Sequence, residues 1–203
     1  MTSPVMTSHS CITAESFLND QKLHHLHHLH HFIMLLLLLL SVLPSVLCCD
    51  LKHFSHLSNN SRTLIELMGG QLTEVRCPVS FPSRLYRHFE NSSVEVQLLF
   101  IKDSLKMIFG LYRHDNLSST TWDTVKTRHF LEILDRQIEE LNDCVLTDES
   151  PDSRLKRYYR RLEKVLHRTG TTSWELLRKE TKHHLDRLEL LVSSIRTKTQ
   201  HKH

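Results

Sequence analysis

Histidine and cysteine are the residues best able to do chemistry in this chain, with 17 His and five Cys among 203 residues. The tract HHLHHLHH, His24 to His31, sets histidines three apart on one helix face, a spacing that can hold a metal ion. It also reads as a low-complexity leader, an over-extended start with a downstream methionine such as Met34 used instead. His183 and His184 are adjacent and point to different sides of a helix, so they do not form a ligand pair. Residues 49–203 contain no HExxH, GxSxG, P-loop or CxxC pattern. Gly69, Gly70, Gly110 and Gly170 are too scattered to cradle a phosphate. The chemistry expected is binding rather than catalysis: no enzyme, no metal, no cofactor.

Charge is the next resource. Lys and Arg number 26 against 23 Asp and Glu, a balance that does not by itself call for nucleic acid. One stretch departs from it. Arg154, Lys156, Arg157, Arg160, Arg161, Lys164 and Arg168 face a single acid, Glu163. That pattern fits a solvated outer face, or a patch for heparan sulphate or an acidic receptor surface. Trp122 and Trp174 each fall two positions inside an expected helix start and on its apolar stripe, which predicts core anchors.

Apolar residues make up 39% and charged residues 24%, which excludes disorder. The one long apolar run, Phe32 to Leu47, is interrupted by Ser41, Pro44 and Ser45. It falls short of the roughly 20 apolar residues that span a bilayer, so no stable membrane insertion is expected. Its length suits the core of a signal peptide, and Val46-Leu47-Cys48 offers short side chains for cleavage after Cys48. Cleavage after Ser45 and an uncleaved signal-anchor are the alternatives. Residues 1–48 are thus read as a leader and 49–203 as the domain. Sequons at Asn59, Asn91 and Asn116 then predict a secreted glycoprotein.

The elements that must carry these residues are helices. A period of 3.6 residues places Leu51, Phe54, Leu57, Ser61, Leu64 and Met68 on one face of a first helix, with Gly69-Gly70 as its stop. A capping box Ser92-x-x-Glu95 opens a second helix through Val94, Leu98, Ile101, Leu105, Ile108 and Tyr112. Thr120-x-x-Asp123 opens a third through Trp122, Val125, Leu131, Leu134, Ile138, Leu141 and Val145. Ser150 caps a fourth, with Leu155, Tyr158, Leu162 and Val165 inward. Thr172-x-x-Glu175 opens a fifth through Trp174, Leu177, Thr181, Leu185, Leu188, Val192 and Ile195. No stretch alternates long enough to be a strand. The expectation is all-α: an up-up-down-down bundle of five main helices, with a long first crossover loop between Gly69 and Asn91.

At this level the chain resembles the type I interferons, most closely the fish branch. The resemblance rests on Cys49-Asp-Leu51, Ser61-Arg-Thr-Leu64, Trp122-Asp123 through Phe130, and Asp135-Arg-Gln137. It continues through Leu141-Asn-Asp-Cys144, Tyr158-Tyr159 with Leu162 and Leu166, and Ser173-Trp-Glu-Leu-Leu-Arg-Lys-Glu180. It implies a disulfide between Cys49 and Cys144. A second bridge found in many members would join Cys77 to a position that holds Thr172 here. Cys77 is therefore free, or pairs with Cys48 if cleavage falls earlier.

The resemblance further implies a secreted antiviral cytokine that joins a two-chain class II cytokine receptor and starts JAK–STAT signalling. One receptor chain would contact the first long loop and the last helix, the other the two middle helices. Carried over, the last-helix contacts are Arg178, Lys179, Lys182, His183 and Asp186. They lie opposite Leu177, Leu185 and Leu188, so exposure is expected of them. In the loop Phe81-Pro82 matches a family dipeptide, and Arg84 is the candidate basic contact. Another helical cytokine, interleukin-10-like or long-chain, and an intracellular basic helical protein remain as alternatives.

Overall fold

The computed structural model describes residues 29–35, 49–113, 117, 120–145, 150–167 and 171–200. Two units are separable, Met1–Pro44 and Ser45–His203. In the first, residues 29–35 form a short helical segment with exposed side chains. Most of the leader, Cys48, Asn116 and Arg168 lie outside the described residues. Among the described residues no helix is long and apolar enough to cross a membrane.

The second unit is built from α1 (Leu51–Leu67), α2 (Ser83–Glu90), α3 (Val94–Tyr112), α4 (Thr124–Cys144), α5 (Ser153–Leu166) and α6 (Thr171–Gln200). No strand occurs among the described residues. The long helices are those that periodicity predicts, but their starts shift. Asp50 caps α1 by accepting from the Lys52 and His53 amides at 3.0 Å each. Ser93, not Ser92, caps α3. Asp123 caps α4 in place of Thr120, and Asp152 caps α5 in place of Ser150. A short polar side chain in extended backbone satisfies amides that the first turn leaves open, so each displaced cap obeys the expected chemistry one to three residues away.

The first crossover is not the irregular loop expected. It contains α2, whose Leu85, Tyr86 and Phe89 are buried while Arg84, Arg87 and His88 are exposed. Phe89 stacks on Phe100 of α3 with ring centroids 4.1 Å apart. Two inward assignments also change. Val125 is 62% exposed, and Ile65 rather than Leu64 is fully buried on α1.

Cross-links between the helices fix their directions. Cys49 is bonded to Cys144, and His53 meets Glu140 at 2.7 Å. At the other end the Asp123 amide donates to the Met68 carbonyl, so α4 runs antiparallel to α1. Early in α6, Arg178 reaches the end of α1, whereas Glu189 accepts from Ser55 near its start, so α6 is antiparallel too. Glu90, just ahead of α3, pairs with Arg187, and Tyr112 at its end donates to Thr181. Hence α1 and α3 run up and α4 and α6 run down, with α5 as the return between the last two.

One apolar core fills the space between them. Phe130, Leu134 and Leu141 of α4 share this core with Ile101, Leu105 and Ile108 of α3 and Leu185, Leu188 and Val192 of α6, all within 3% exposure. Trp122 and Trp174 are buried as expected, their rings edge to face at 5.9 Å.

Candidate functional site

The five residues carried over onto the last helix do share one side of α6, since positions 178, 179, 182, 183 and 186 fall within about 140° of arc at 100° per residue. The structure treats them unequally. Arg178 is 0% exposed, which corrects the expectation that it lies outside. The reason is that α6 is covered on this side by the end of α1 and the segment that follows it. The Arg178 guanidinium donates to the carbonyls of Ile65 and Glu66 at 3.2 Å each, Gly70 at 2.6 Å and Gln71 at 3.3 Å. It also pairs with Glu175 at 2.8 Å. The last carbonyls of α1 have no partner within that helix, and a planar fork of donors satisfies several at once. Arg178 is thus an anchor for the first crossover.

Neighbouring residues make the anchorage specific. Glu175 spends one carboxylate oxygen on Arg178 and the other on the Trp122 indole N–H, at 2.5 Å. Gly69 is needed here for its lack of a side chain: a Cβ would sit 2.9 Å from both the Arg178 guanidinium carbon and the Trp122 ring. The Gly69-Gly70 pair, expected only as a helix stop, therefore also makes room for the buried arginine.

Outward from this anchor lies an accessible surface. The Lys179 ammonium donates to the Val75 carbonyl at 3.1 Å, tying the crossover to α6. Lys182 meets Glu66 at 3.0 Å and Asp186 at 2.7 Å, and Asp186 also accepts from Arg62 at 2.7 Å. Partial burial would lower the Lys182 ammonium, but the Asp186 and Glu66 carboxylates outweigh it and hold it above the ordinary lysine value. His183 is exposed and stacks on Phe81 at 3.7 Å. Its partial burial under that ring, with Arg187 and Lys182 close by, lowers it from the usual imidazole value despite Asp186. Arg84 is exposed on the first turn of α2, three residues beyond Phe81. Arg62 and Glu66 near the end of α1 and Val75 in the crossover belong to this face and were not expected there.

Beneath the stack runs a buried polar chain that periodicity did not reveal. The Tyr86 hydroxyl lies 2.7 Å from His184 Nδ1, and the Tyr158 hydroxyl lies 3.0 Å from His184 Nε2. Tyr158 donates onward to Glu180 at 3.4 Å. A hydroxyl has one proton to give, so Tyr158 accepts from His184, and Nδ1 must then accept from Tyr86. The ring is neutral with its proton on Nε2. Complete burial, with His183 adding a smaller push, lowers His184 to about 3. Burial likewise raises both tyrosine hydroxyls.

The remaining expected sites are placed as follows. Cys77 is half-buried and unbonded, its thiol raised chiefly by burial. Asn59 and Asn91 are exposed. On α5, Arg154, Arg157, Arg160, Arg161 and Lys164 are exposed and Lys156 is half-buried. Among the described residues no group of His, Cys, Asp and Glu gathers to hold a metal.

Two parallel helices followed by two opposed ones, a long first connection and a bridge from Cys49, ahead of α1, to the end of α4 define a helical cytokine. The comparisons specify which kind. The interferon alpha/beta domain matches residues 51–195. Interferon a3 of Oncorhynchus mykiss is 41% identical over 153 residues, which cover 73% of this chain and 87% of that protein. The solved structure of zebrafish interferon 1 superposes with a TM-score of 0.64 at 32% identity, covering 71% of this chain and 97% of that one. The chain belongs to the interferon alpha/beta family, as a fish type I interferon. That family is one of cytokines, not of enzymes.

Proposed function

We propose that the chain is a secreted antiviral cytokine that works by binding alone, bringing together the two chains of a class II cytokine receptor and so starting JAK–STAT signalling. No bond is made or broken; a rigid bundle sets the separation of two receptor chains. Residues 1–48 are a leader removed on export, and residues 49–203 are the active domain, glycosylated at Asn59, Asn91 and Asn116.

The observation that carries this reading is the face formed by Lys179, Lys182 and His183 with Phe81; Arg84, exposed on the first turn of α2, is taken with it. The face is charged, with His183 exposed and Lys179 and Lys182 half-buried, and it is held in place by the crossover that Arg178 clamps. Contacts fixed before a partner arrives lose little freedom on binding. Arg178 and Asp186 act as positioning residues behind that face. The test is affinity for the purified extracellular receptor chains, with STAT phosphorylation in responsive cells. Replacing Arg84, Lys179, Lys182 and His183 by Ala together is expected to weaken one receptor chain more than tenfold, about 1.4 kcal/mol or more. Because the tie to Val75 and the pairs with Glu66 and Asp186 go with them, the melting temperature also falls and affinity is measured well below the melt. Unchanged affinity in the combined variant defeats the assignment. Preference for interleukin-10-type receptor chains would move the protein to the other helical cytokines. Retention inside cells with Cys49 and Cys144 reduced would return it to the intracellular alternative.

A further inference from the structure

Every lysine and arginine of α4 is answered by a carboxylate, whereas most of those on α5 are not. On α4, Lys126 pairs with Asp123, Arg128 with Glu132 and Arg136 with Glu140. On α6, Lys182 pairs with Glu66 and Asp186, and Arg187 with Glu90. On α5 only Arg154 is matched, by a two-toothed contact with Asp152, and Lys156 donates to Ser150. The side chains of Arg157, Arg160, Arg161 and Lys164 meet no acid among the described residues.

Their placement is regular. Leu155, Tyr158, Tyr159 and Leu162 fix the inward side of α5. Opposite it, positions 157, 161 and 164 fall within about 60° of arc and about 10 Å of helix length, with 160 about 40° further round. On that flank a groove of about 400 Å³ separates α5 from α3, lined by Lys106, Met107, Tyr159, Lys156, Arg160 and Glu163. The acids near the groove are Glu163 on its wall and the buried Asp103 beside Lys106 and Lys156. Neither lies on the crown of the helix.

We infer that a sulfated polysaccharide lies along α5, its sulfates held by Arg157, Arg161 and Lys164 on the crown and by Lys106, Lys156 and Arg160 at the groove. Arginine forks and lysine points suit sulfate oxygens, and a run of cations along one helix suits a linear polyanion. The same surface lacks what two other polyanions would use. It exposes no large apolar side chain, which a lipid surface needs for insertion. Its one tyrosine there, Tyr159, is buried, so no ring is offered for bases to stack on. The extracellular ligand rests on the export proposed above, and the surface is separate from the α6 face.

The test is heparin binding by the full mature chain as a function of salt. Gln is tolerated in exposed helix positions, so R157Q/R161Q/K164Q should fold. Its affinity at physiological salt is expected to fall at least thirtyfold, with the salt slope reduced by about two to three. K106Q/R160Q should lose three- to tenfold. R128Q/R136Q, which removes two cations from α4, should stay within twofold. Fully desulfated heparin should not bind the parent protein, and receptor affinity should be unchanged in R157Q/R161Q/K164Q, which touches neither the α6 face nor the two middle helices. The inference is overturned if R128Q/R136Q loses as much as the α5 variant, or if desulfated heparin binds equally. It is also overturned if phosphatidylserine vesicles or an oligo-dT strand bind as tightly at the same salt. Loss of receptor affinity in R157Q/R161Q/K164Q would assign the surface to a receptor chain instead, leaving the α6 reading to its own test.

Discussion

Replacing Arg178 with Ala separates an anchor from a contact. The guanidinium is fully buried and donates to four backbone carbonyls and one carboxylate. A hydrogen bond to a charged donor contributes about 1.5–3 kcal/mol, but these bonds share one side chain and water can replace some of them at the part-buried carbonyls. Cutting one partner out of a buried, hydrogen-bonded pair costs about 3–5 kcal/mol as a whole. For a domain of this size each kcal/mol moves the melting temperature about 2–4 °C, so Arg178→Ala is expected to lower it by roughly 6–20 °C. Circular dichroism melts with urea titration give the stability; receptor affinity is measured well below the melt. Arg178→Lys keeps the charge but not the planar fork, and should recover less than half of the loss. If Arg178→Ala melts within 3 °C of the parent while receptor affinity falls thirtyfold, the residue is a receptor contact and the anchoring argument is wrong.

Three further outcomes follow from the same geometry. His184 is neutral in the fold and lowered to about 3, so the unfolded chain binds its proton first as pH falls. The parent therefore loses stability from pH 6.5 downward, by about 1.4 kcal/mol per unit from this group. The raised carboxyls of Glu180 and Asp103 act in the opposite sense. Comparing urea midpoints of the parent and His184→Phe between pH 6.5 and 4 isolates the histidine, and parallel curves would refute its assignment. Cys49 and Cys144 are separated by 95 residues, so reduction should cost about 4–5 kcal/mol in the chain-entropy model, whereas Cys77→Ser should cost under about 1 kcal/mol. Urea titrations of the reduced protein and of Cys77→Ser, each against the oxidised parent, decide it. Gly69→Ala places a methyl against Arg178 and Trp122 and should destabilise by about 1–3 kcal/mol, while Gly70→Ala, with open space at its Cβ, should not.

The sequence carried the bundle further than it carried the face. Every inward residue named on α6, from Trp174 through Thr181 to Ile195, is buried, because a long helix averages over local exceptions. The eight residues of α2 are too few for that averaging, although Pro82 followed by Leu85, Tyr86 and Phe89 was the available signal. Caps at Ser93 and Asp123 were displaced because Ser92 and Thr120 satisfy the same spacing rule, and only packing chooses between them. Arg178 was misplaced for a different reason. An outward direction deduced from an apolar stripe assumes one buried side, and α6 packs against α1, α2, α3 and α5.

That crowding changes how the face on α6 must be understood. Lys179, Lys182 and His183 do not stand on a free helix; each is engaged by the crossover, by α1 or by Phe81. Lys182 sits between two carboxylates and His183 against a ring, so their positions are set before any partner arrives, and the charge Lys182 offers is already half-answered. A partner must then compete with Glu66 and Asp186 or take the pair as a unit. In either case the geometry of the face depends on the segment from Gly70 to Val75, which Arg178 and Lys179 pin to α6. If this face is the receptor contact proposed above, the buried arginine acts on binding through the placement of its neighbours, and substitutions on this surface report contact only when the stability of that anchor has been measured alongside.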